Sequence, residues 1–192
     1  MKKKSLFLTV VIPLIAVAST LGQNDTPGAF SIESNALNWF SNGYSLGGYY
    51  FLPNTKISLG VGIEGLRYTD DNLKETAFEN GDLIDEVQLD YLARVEFRYH
   101  FKEHQEGFYA GVRAGFEEWT LSLEDSEASV ENGFVSPTIG YIWHPWGKDG
   151  LMIHPFFAGI FILGDGEATL GQVNINLNGF LPNPGIAIGF KF

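Results

Sequence analysis

Apolar and polar residues alternate along much of this chain. Val87, Leu89, Tyr91, Ala93, Val95, Phe97, Tyr99 and Phe101 are all apolar or aromatic, with Gln88, Asp90, Leu92, Arg94, Glu96, Arg98 and His100 between them. Ile57, Leu59, Val61 and Ile63 alternate with Ser58, Gly60, Gly62 and Glu64. Phe108, Ala110, Val112, Ala114 and Phe116 alternate with Tyr109, Gly111, Arg113, Gly115 and Glu117. A period of two sustained over such lengths marks strands with one apolar face. Strands are predicted near 29–38, 44–52, 56–68, 87–101, 108–121, 134–144, 151–163 and 184–192.

The connections fall into two classes. Short ones lie at Pro53-Asn54-Thr55, Lys102 to Gly107 and Pro145 to Gly150, and longer ones at Thr69 to Glu86, Ser122 to Gly133 and from Gly164 onward. Short turns at one end and long loops at the other suit an up-and-down barrel. Val173, Ile175 and Leu177 also alternate, with Gln172, Asn174, Asn176 and Asn178. Residues 171–181 read as an extension of the final strand, bent at Pro182 and Pro184; a ten-stranded barrel is the alternative. Pro137 and Pro155 fall within predicted strands and remove ladder donors, so bulges or irregular pairing are expected there.

Alternation alone leaves open which face points inward. The polar face mixes glycine with Arg, Glu, Asp and His and nearly lacks Lys and Thr, which suits a crowded narrow interior better than a solvated surface. Eight strands leave room inside only for side chains. The fold class expected is therefore all-β, a closed antiparallel up-and-down transmembrane β-barrel of eight strands. A soluble barrel would reverse the two faces. Aromatics gather near the strand ends, Tyr68 and Trp119 at one end and Tyr99, Phe101, Phe108, Trp143, Trp146 and Phe192 at the other, as two interfacial girdles would.

Lys2 to Lys4, the apolar stretch Leu6 to Ala18 and a small-residue site after Ala18 or Gly22 read as a cleavable export signal over 1–22, leaving one domain at 23–192. No cysteine occurs, so neither lipidation nor a disulfide framework is available. Beyond the signal, nine basic residues face 23 acidic ones, a charge of −14 that does not favour nucleic acid. No later run of eighteen apolar residues exists, so a membrane could be spanned only by a closed barrel.

The chain ends in Gly-Ile-Ala-Ile-Gly-Phe-Lys-Phe, Gly185 to Phe192, again with period two. This ending resembles the C-terminal strand of bacterial outer-membrane β-barrels, whose closing strand typically stops at Phe. Most of the chain beyond the signal resembles the small barrels of that superfamily, the OmpA-, OmpX- and OmpW-type group. The resemblance implies an integral outer-membrane protein of a Gram-negative bacterium with a structural or surface-interaction role in the envelope. It further implies that Phe190 and Phe192 form an assembly signal, with outer-membrane lipids and the barrel assembly machinery as partners. The competing function is an OmpW-like channel for small or hydrophobic molecules, of which Leu92, Ile142 and Phe156 on otherwise polar faces are the hints.

The residues that could carry chemistry lie mostly on the polar faces. If the turn from Lys102 to Gly107 pairs Phe101 with Phe108, Glu96 lies opposite Arg113. Glu64, Asp90, Arg94, Arg98 and Glu117 are expected to join that pair in an interior charge network, since unpaired buried charge is expensive. A structural plug of ion pairs is favoured over a polar channel. Of the histidines, His100, His144 and His154 fall near the short-turn ends of strands and His104 in a turn, without metal-ligand spacing, so no metal or cofactor is expected. A lipid-modifying enzyme of this class would need a serine with a base at the outer rim. Asp125-Ser126 has no partner histidine there, so no enzyme is expected. The loops from Thr69 to Glu86 and Ser122 to Gly133 are acidic (Asp70, Asp71, Glu75, Glu79, Asp82, Asp85, Glu86, Glu124, Asp125, Glu127 and Glu131). They could meet divalent cations, although such a charge run is usually a solvated face.

Overall fold

The computed structural model describes residues 28–68, 71–102, 106–147, 149–164 and 166–192. The export signal expected over 1–22, His104 and Asp70 lie outside them. The eight wall strands are β1 (Ala29–Asn35), β2 (Tyr44–Phe51), β3 (Ile57–Tyr68), β5 (Glu86–His100), β6 (Gly107–Leu123), β7 (Ser126–Ile142), β8 (Gly150–Leu163) and β11 (Phe180–Lys191). They close in the order β1-β11-β8-β7-β6-β5-β3-β2, every pair antiparallel. The eight-stranded up-and-down barrel expected from the alternation is the fold observed. Helix α1 (Ala36–Phe40) follows β1, and helix α2 (Asp71–Ala77) follows β3. Strand β4 (Phe78–Glu79) pairs with β10 (Val173–Leu177), and β10 with β9 (Glu167–Leu170), in a small second sheet.

One hydrogen-bonded row shows how the barrel closes. Phe180 partners Phe161, Phe161 partners Val135, and the row continues through Ala114, Val95, Val61, Gly48 and Ile32 to Phe190. The path returns to β11 ten residues further along, the stagger that tilts the strands. Phe180, Phe161, Val95, Ile32 and Phe190 in this row are exposed, while Glu96 and Arg113 on adjacent positions, and Arg98 two residues beyond Glu96, are buried. The barrel is apolar outside and charged inside, the facing expected from the composition of the polar positions.

Several expectations need correction. Residues 36–38 are helical rather than strand, because Asn35 caps α1, its side chain accepting from the Leu37 amide at 3.2 Å. The predicted loop Ser122 to Gly133 is ladder almost throughout, with only Glu124 and Asp125 between β6 and β7. Residues 173–177 are not an extension of the last strand; they form β10, while β11 begins at Phe180 and passes through Pro182 and Pro184 in unbroken register with β8.

Pro137 and Pro155 interrupt the β7–β8 ladder without a register shift. Trp143 and Ile153 exchange amide bonds at 2.9 Å, which places Pro137 and Pro155 on the side of each strand that should donate across this seam. The register shift lies elsewhere, at Asp90, an extra residue of β5 against both β3 and β6. Above it the alternation is reset. Val87 and Leu89 turn inward and are buried, and Asp90 turns outward.

A cluster including Val87, Leu89, Leu92, Trp119, Leu121, Val130 and Phe134 fills the barrel end away from the termini. Phe78, Ile84, Leu170, Ile175 and Leu177 from the connecting segments and second sheet cover it. Tyr68 and Trp119, expected in an outer girdle, belong to this interior and stack at 5.8 Å. At the other end Tyr99, Phe101, Phe108, Trp143, Trp146 and Phe192 are exposed as a girdle requires.

Candidate functional site

The lower interior is a compact charge network. Arg98 of β5 is its centre, wholly buried. Its Nε donates to Glu96 Oε1 at 2.7 Å, and its Nη1 and Nη2 donate to the two carboxylate oxygens of Glu33 at 3.0 and 3.3 Å. The guanidinium lies over the Tyr49 ring, 3.6 Å from its centroid, with the Tyr109 ring at 5.0 Å. Gly60 of β3 makes the space for Tyr49, since a Cβ there would stand 2.2 Å from the tyrosine ring. Planar donors stacked on aromatic faces and forked onto a carboxylate are what arginine provides and lysine does not.

Glu96 and Arg113 sit opposite each other in the β5–β6 register, and Arg113 Nε lies 3.1 Å from Glu96 Oε2. The turn that sets this register is closed by Phe101 donating to the Phe108 carbonyl at 3.0 Å. Arg94 pairs with Glu64 and lies 3.7 Å from Glu96. Glu64 also accepts from Asn38 Nδ2 of α1 at 3.1 Å. Glu33, Glu64 and Glu96 thus face Arg94, Arg98 and Arg113, three anions against three cations, so these six side chains balance one another in the low-dielectric interior.

Two expected members stand apart from this network. Asp90 lies on the outward side of the bulge, accepting from Gln88 Nε2 and Thr120 Oγ1, both at 2.6 Å. Its physical exclusion is the extra residue itself, which turns position 90 away from the interior. Glu117 is buried but has no cation beside it. It accepts from Trp119 Nε1 at 2.9 Å through one oxygen, while among the described residues neither Oε2 nor Nδ2 of Asn132, its partner on β7, has a hydrogen-bond partner.

The sequence reading missed Glu33, His154, Tyr49 and Tyr109. Tyr109 Oη lies 2.7 Å from His154 Nε2, and His154 Nδ1 lies 2.9 Å from Glu33 Oε2. Glu33 shares inward parity with Ser31 and Asn35, but those neighbours give no charge pattern that would mark it. His154 lies in the run Leu151 to Leu163, apolar on both faces, so alternation does not show which way it points. His100 meets Ser58 at 2.9 Å. Among the described residues no group of three His, Asp or Glu converges as a metal site would. A cavity lined by Glu33, Tyr49, Arg94, Arg113, His154 and Phe156 among others holds about 10 Å³, the space of a single water.

At the far end, Lys74 of the acidic loop is buried and donates from Nζ to the carbonyls of Ile84 and Asp85 at 2.6 and 3.3 Å. Asp85 accepts from the Glu124 amide at 2.8 Å, and Glu79 from Asn176 Nδ2 at 3.1 Å. Some of the loop carboxylates are therefore used in holding loops together.

Compared by sequence, the chain matches no family model and no curated protein. Compared by structure, it is similar to the N-terminal β-barrel domain of Pseudomonas aeruginosa OprF, at 17% identity and TM-score 0.54, covering 86% of this chain and 99% of that one. It is also similar to a major outer membrane protein from Thermus thermophilus, at 11% identity and TM-score 0.55, covering 87% of this chain and 100% of that one. The chain has the fold of the small outer-membrane β-barrels. In this barrel Phe190 and Phe192 are exposed on the closing strand, and Phe192 completes the seam by exchanging backbone bonds with Phe30 at 2.7 and 3.3 Å.

Proposed function

We propose that the protein spans a bacterial outer membrane as a closed, filled barrel and serves the envelope as a structural or surface-interaction element. The observation that carries this reading is the reversed facing: a continuous outward apolar ring around a wall whose inward positions hold three carboxylates and three guanidiniums. Such a surface in water would be a liability, whereas in hydrocarbon it is what a strand wall requires. The short turns and both ends of the barrel chain then face the periplasm, and the second sheet with α2 faces the exterior. Residues 1–22 act as the export signal, and Phe190 and Phe192 present the closing strand to the assembly machinery. Divalent cations at the acidic exterior loops are a further proposed partner.

A channel for small hydrophobic molecules would need an apolar trough. The residues that hinted at one are packed: Leu92 lies in the apolar cluster, Ile142 against Tyr109 and Met152, and Phe156 under the Arg113 guanidinium at 4.4 Å. That packing supports the filled reading. The protein should sediment with outer membranes, migrate faster on gels when unheated and give no steady conductance in planar bilayers. Recovery as a soluble periplasmic protein would end the membrane reading, and reproducible single-channel steps would end the filled one.

A further inference from the structure

The ten-residue stagger leaves one part of the wall unpaired. β1 meets β11 only from Ser31 with Lys191 to Asn35 with Ala187, yet β11 continues up to Phe180 along β8. From Phe180 to Ile186 the β1-facing edge of β11 has no strand beside it. Ladder parity fixes which groups point there. Phe192 and Phe30 exchange amide bonds, as a hydrogen-bonded pair of the β1–β11 seam does, so the even-numbered residues of β11 direct their amides and carbonyls toward β1. Two of them are Pro182 and Pro184. The open edge therefore presents the carbonyls of Phe180, Pro182 and Pro184 and, between Phe180 and Ile186, no amide donor. Among the described residues no loop amide or side chain donates to these three carbonyls.

Helix α1 sits beside this notch. Asn38 points inward, donating to Glu64 and to the Tyr44 carbonyl at 3.3 Å, while Leu37, Trp39 and Phe40 are exposed. The outward surface continues the apolar ring through Phe180 and Ile186. A partner strand is a poor occupant, because augmentation needs donors as well as acceptors and the prolines delete them. An apolar surface whose edge offers three carbonyls and, between Phe180 and Ile186, no amide fits an amphiphile that combines hydrocarbon with hydroxyl donors. Unsatisfied carbonyls at the edge of hydrocarbon are costly, so such a lipid would be held in preference to one without donors.

We infer that the notch between β11 and α1 is a lipid-binding site for an acyl lipid with a hydroxyl-bearing headgroup. This rests on the membrane-spanning reading. The test uses the full barrel in phosphatidylcholine vesicles containing, at equal mole fraction, bromine-labelled chains on either a neutral glucosyl diacylglycerol or phosphatidylcholine. Trp39 fluorescence is taken as the difference between wild type and Trp39→Phe, and Trp143 at the opposite end as the difference from Trp143→Phe. The glucolipid should quench Trp39 about two-fold or more beyond brominated phosphatidylcholine, the enrichment one net hydrogen bond supplies. The two lipids should quench Trp143 alike. In Pro182→Thr and Pro184→Thr variants, which restore an amide donor, the Trp39 preference should fall. Equal quenching of Trp39 by both lipids overturns the site while leaving the membrane reading intact, as does a stable dimer that shields Trp39 from both. Quenching of neither tryptophan by either lipid overturns both readings.

Discussion

Replacing Arg98 by Met removes the hub of the interior while keeping much of its volume. Arg98 makes three charge-assisted hydrogen bonds, to Glu96 and to both oxygens of Glu33, and stacks on Tyr49. In Arg98→Met three buried carboxylates would face two guanidiniums. Glu33 would keep only Ser31 Oγ at 3.3 Å and His154. Breaking a buried ion pair by deleting one partner costs about 3–5 kcal/mol, and the lost cation–π contact adds about 1–2 kcal/mol. Together they predict a loss of about 4–7 kcal/mol, within the same order as the whole stability of a small domain.

The compensating experiment separates charge from packing. In Arg98→Met with Glu33→Gln, two carboxylates face two guanidiniums, and a neutral interior of similar volume need not be less stable than the ion pair it replaces. The double variant should recover at least about half of the loss by that argument. Urea titration of the barrel in vesicles, followed by tryptophan fluorescence and checked by the unheated-gel band, reads both. A single variant within about 1 kcal/mol of wild type would refute the charge-balance account. So would a double variant no more stable than the single one.

Other expectations follow from individual sites. Glu117→Gln replaces a buried carboxyl that has no cation beside it with a neutral amide that keeps an acceptor for Trp119 Nε1, so it should stabilise the barrel in the same titration by about 1–3 kcal/mol; unchanged or lowered stability would count against it. Gly60→Val would drive Tyr49 off the Arg98 guanidinium and should cost about 1–3 kcal/mol in the same titration. The chain has no cysteine. In intact cells Asp90→Cys should therefore react quickly with a membrane-impermeant thiol reagent and Leu89→Cys slowly, and the reverse order would place the bulge wrongly. Phe192→Ser keeps the terminal backbone bonds but should lower the yield of assembled barrel at natural expression levels; normal assembly would remove Phe192 from the proposed signal.

What the alternation made legible was the wall: eight strands, their faces and the β5–β6 register that sets Glu96 against Arg113. Local pattern suffices there because one register puts every charge inside and a slip of one residue puts every charge outside. It failed where a residue's place is set by distant partners. Glu33 and Arg98 are 65 positions apart, and His154 reaches Glu33 over 121. The loop expected at Ser122 to Gly133 failed for a different reason. Its outward residues Glu127, Ser129 and Glu131 are polar, so a strand leaving hydrocarbon looks like a loop when only apolar faces are counted.

That last failure bears on how one wall can serve two solvents. In the lower barrel the outward positions are apolar and the inward ones charged; toward the far end the order inverts, with Trp119, Leu121 and Val130 buried inside and Glu118, Thr120 and Glu131 outward. β6 achieves the inversion by composition. Its even positions are apolar up to Phe116 and polar from Glu118, while parity never changes. β7 does the same between Glu131 and Val135. β5 takes the other route. Its odd positions are apolar from Val87 to Phe101, so with unbroken parity Val87 and Leu89 would face water and Gln88 the apolar core. The extra residue at Asp90 exchanges the faces at the level where the neighbours change composition. Three strands reach the same boundary by two means, and the agreement of their levels points to an interface fixed from outside the protein. In a wall that spans a bilayer, this is the line where hydrocarbon ends.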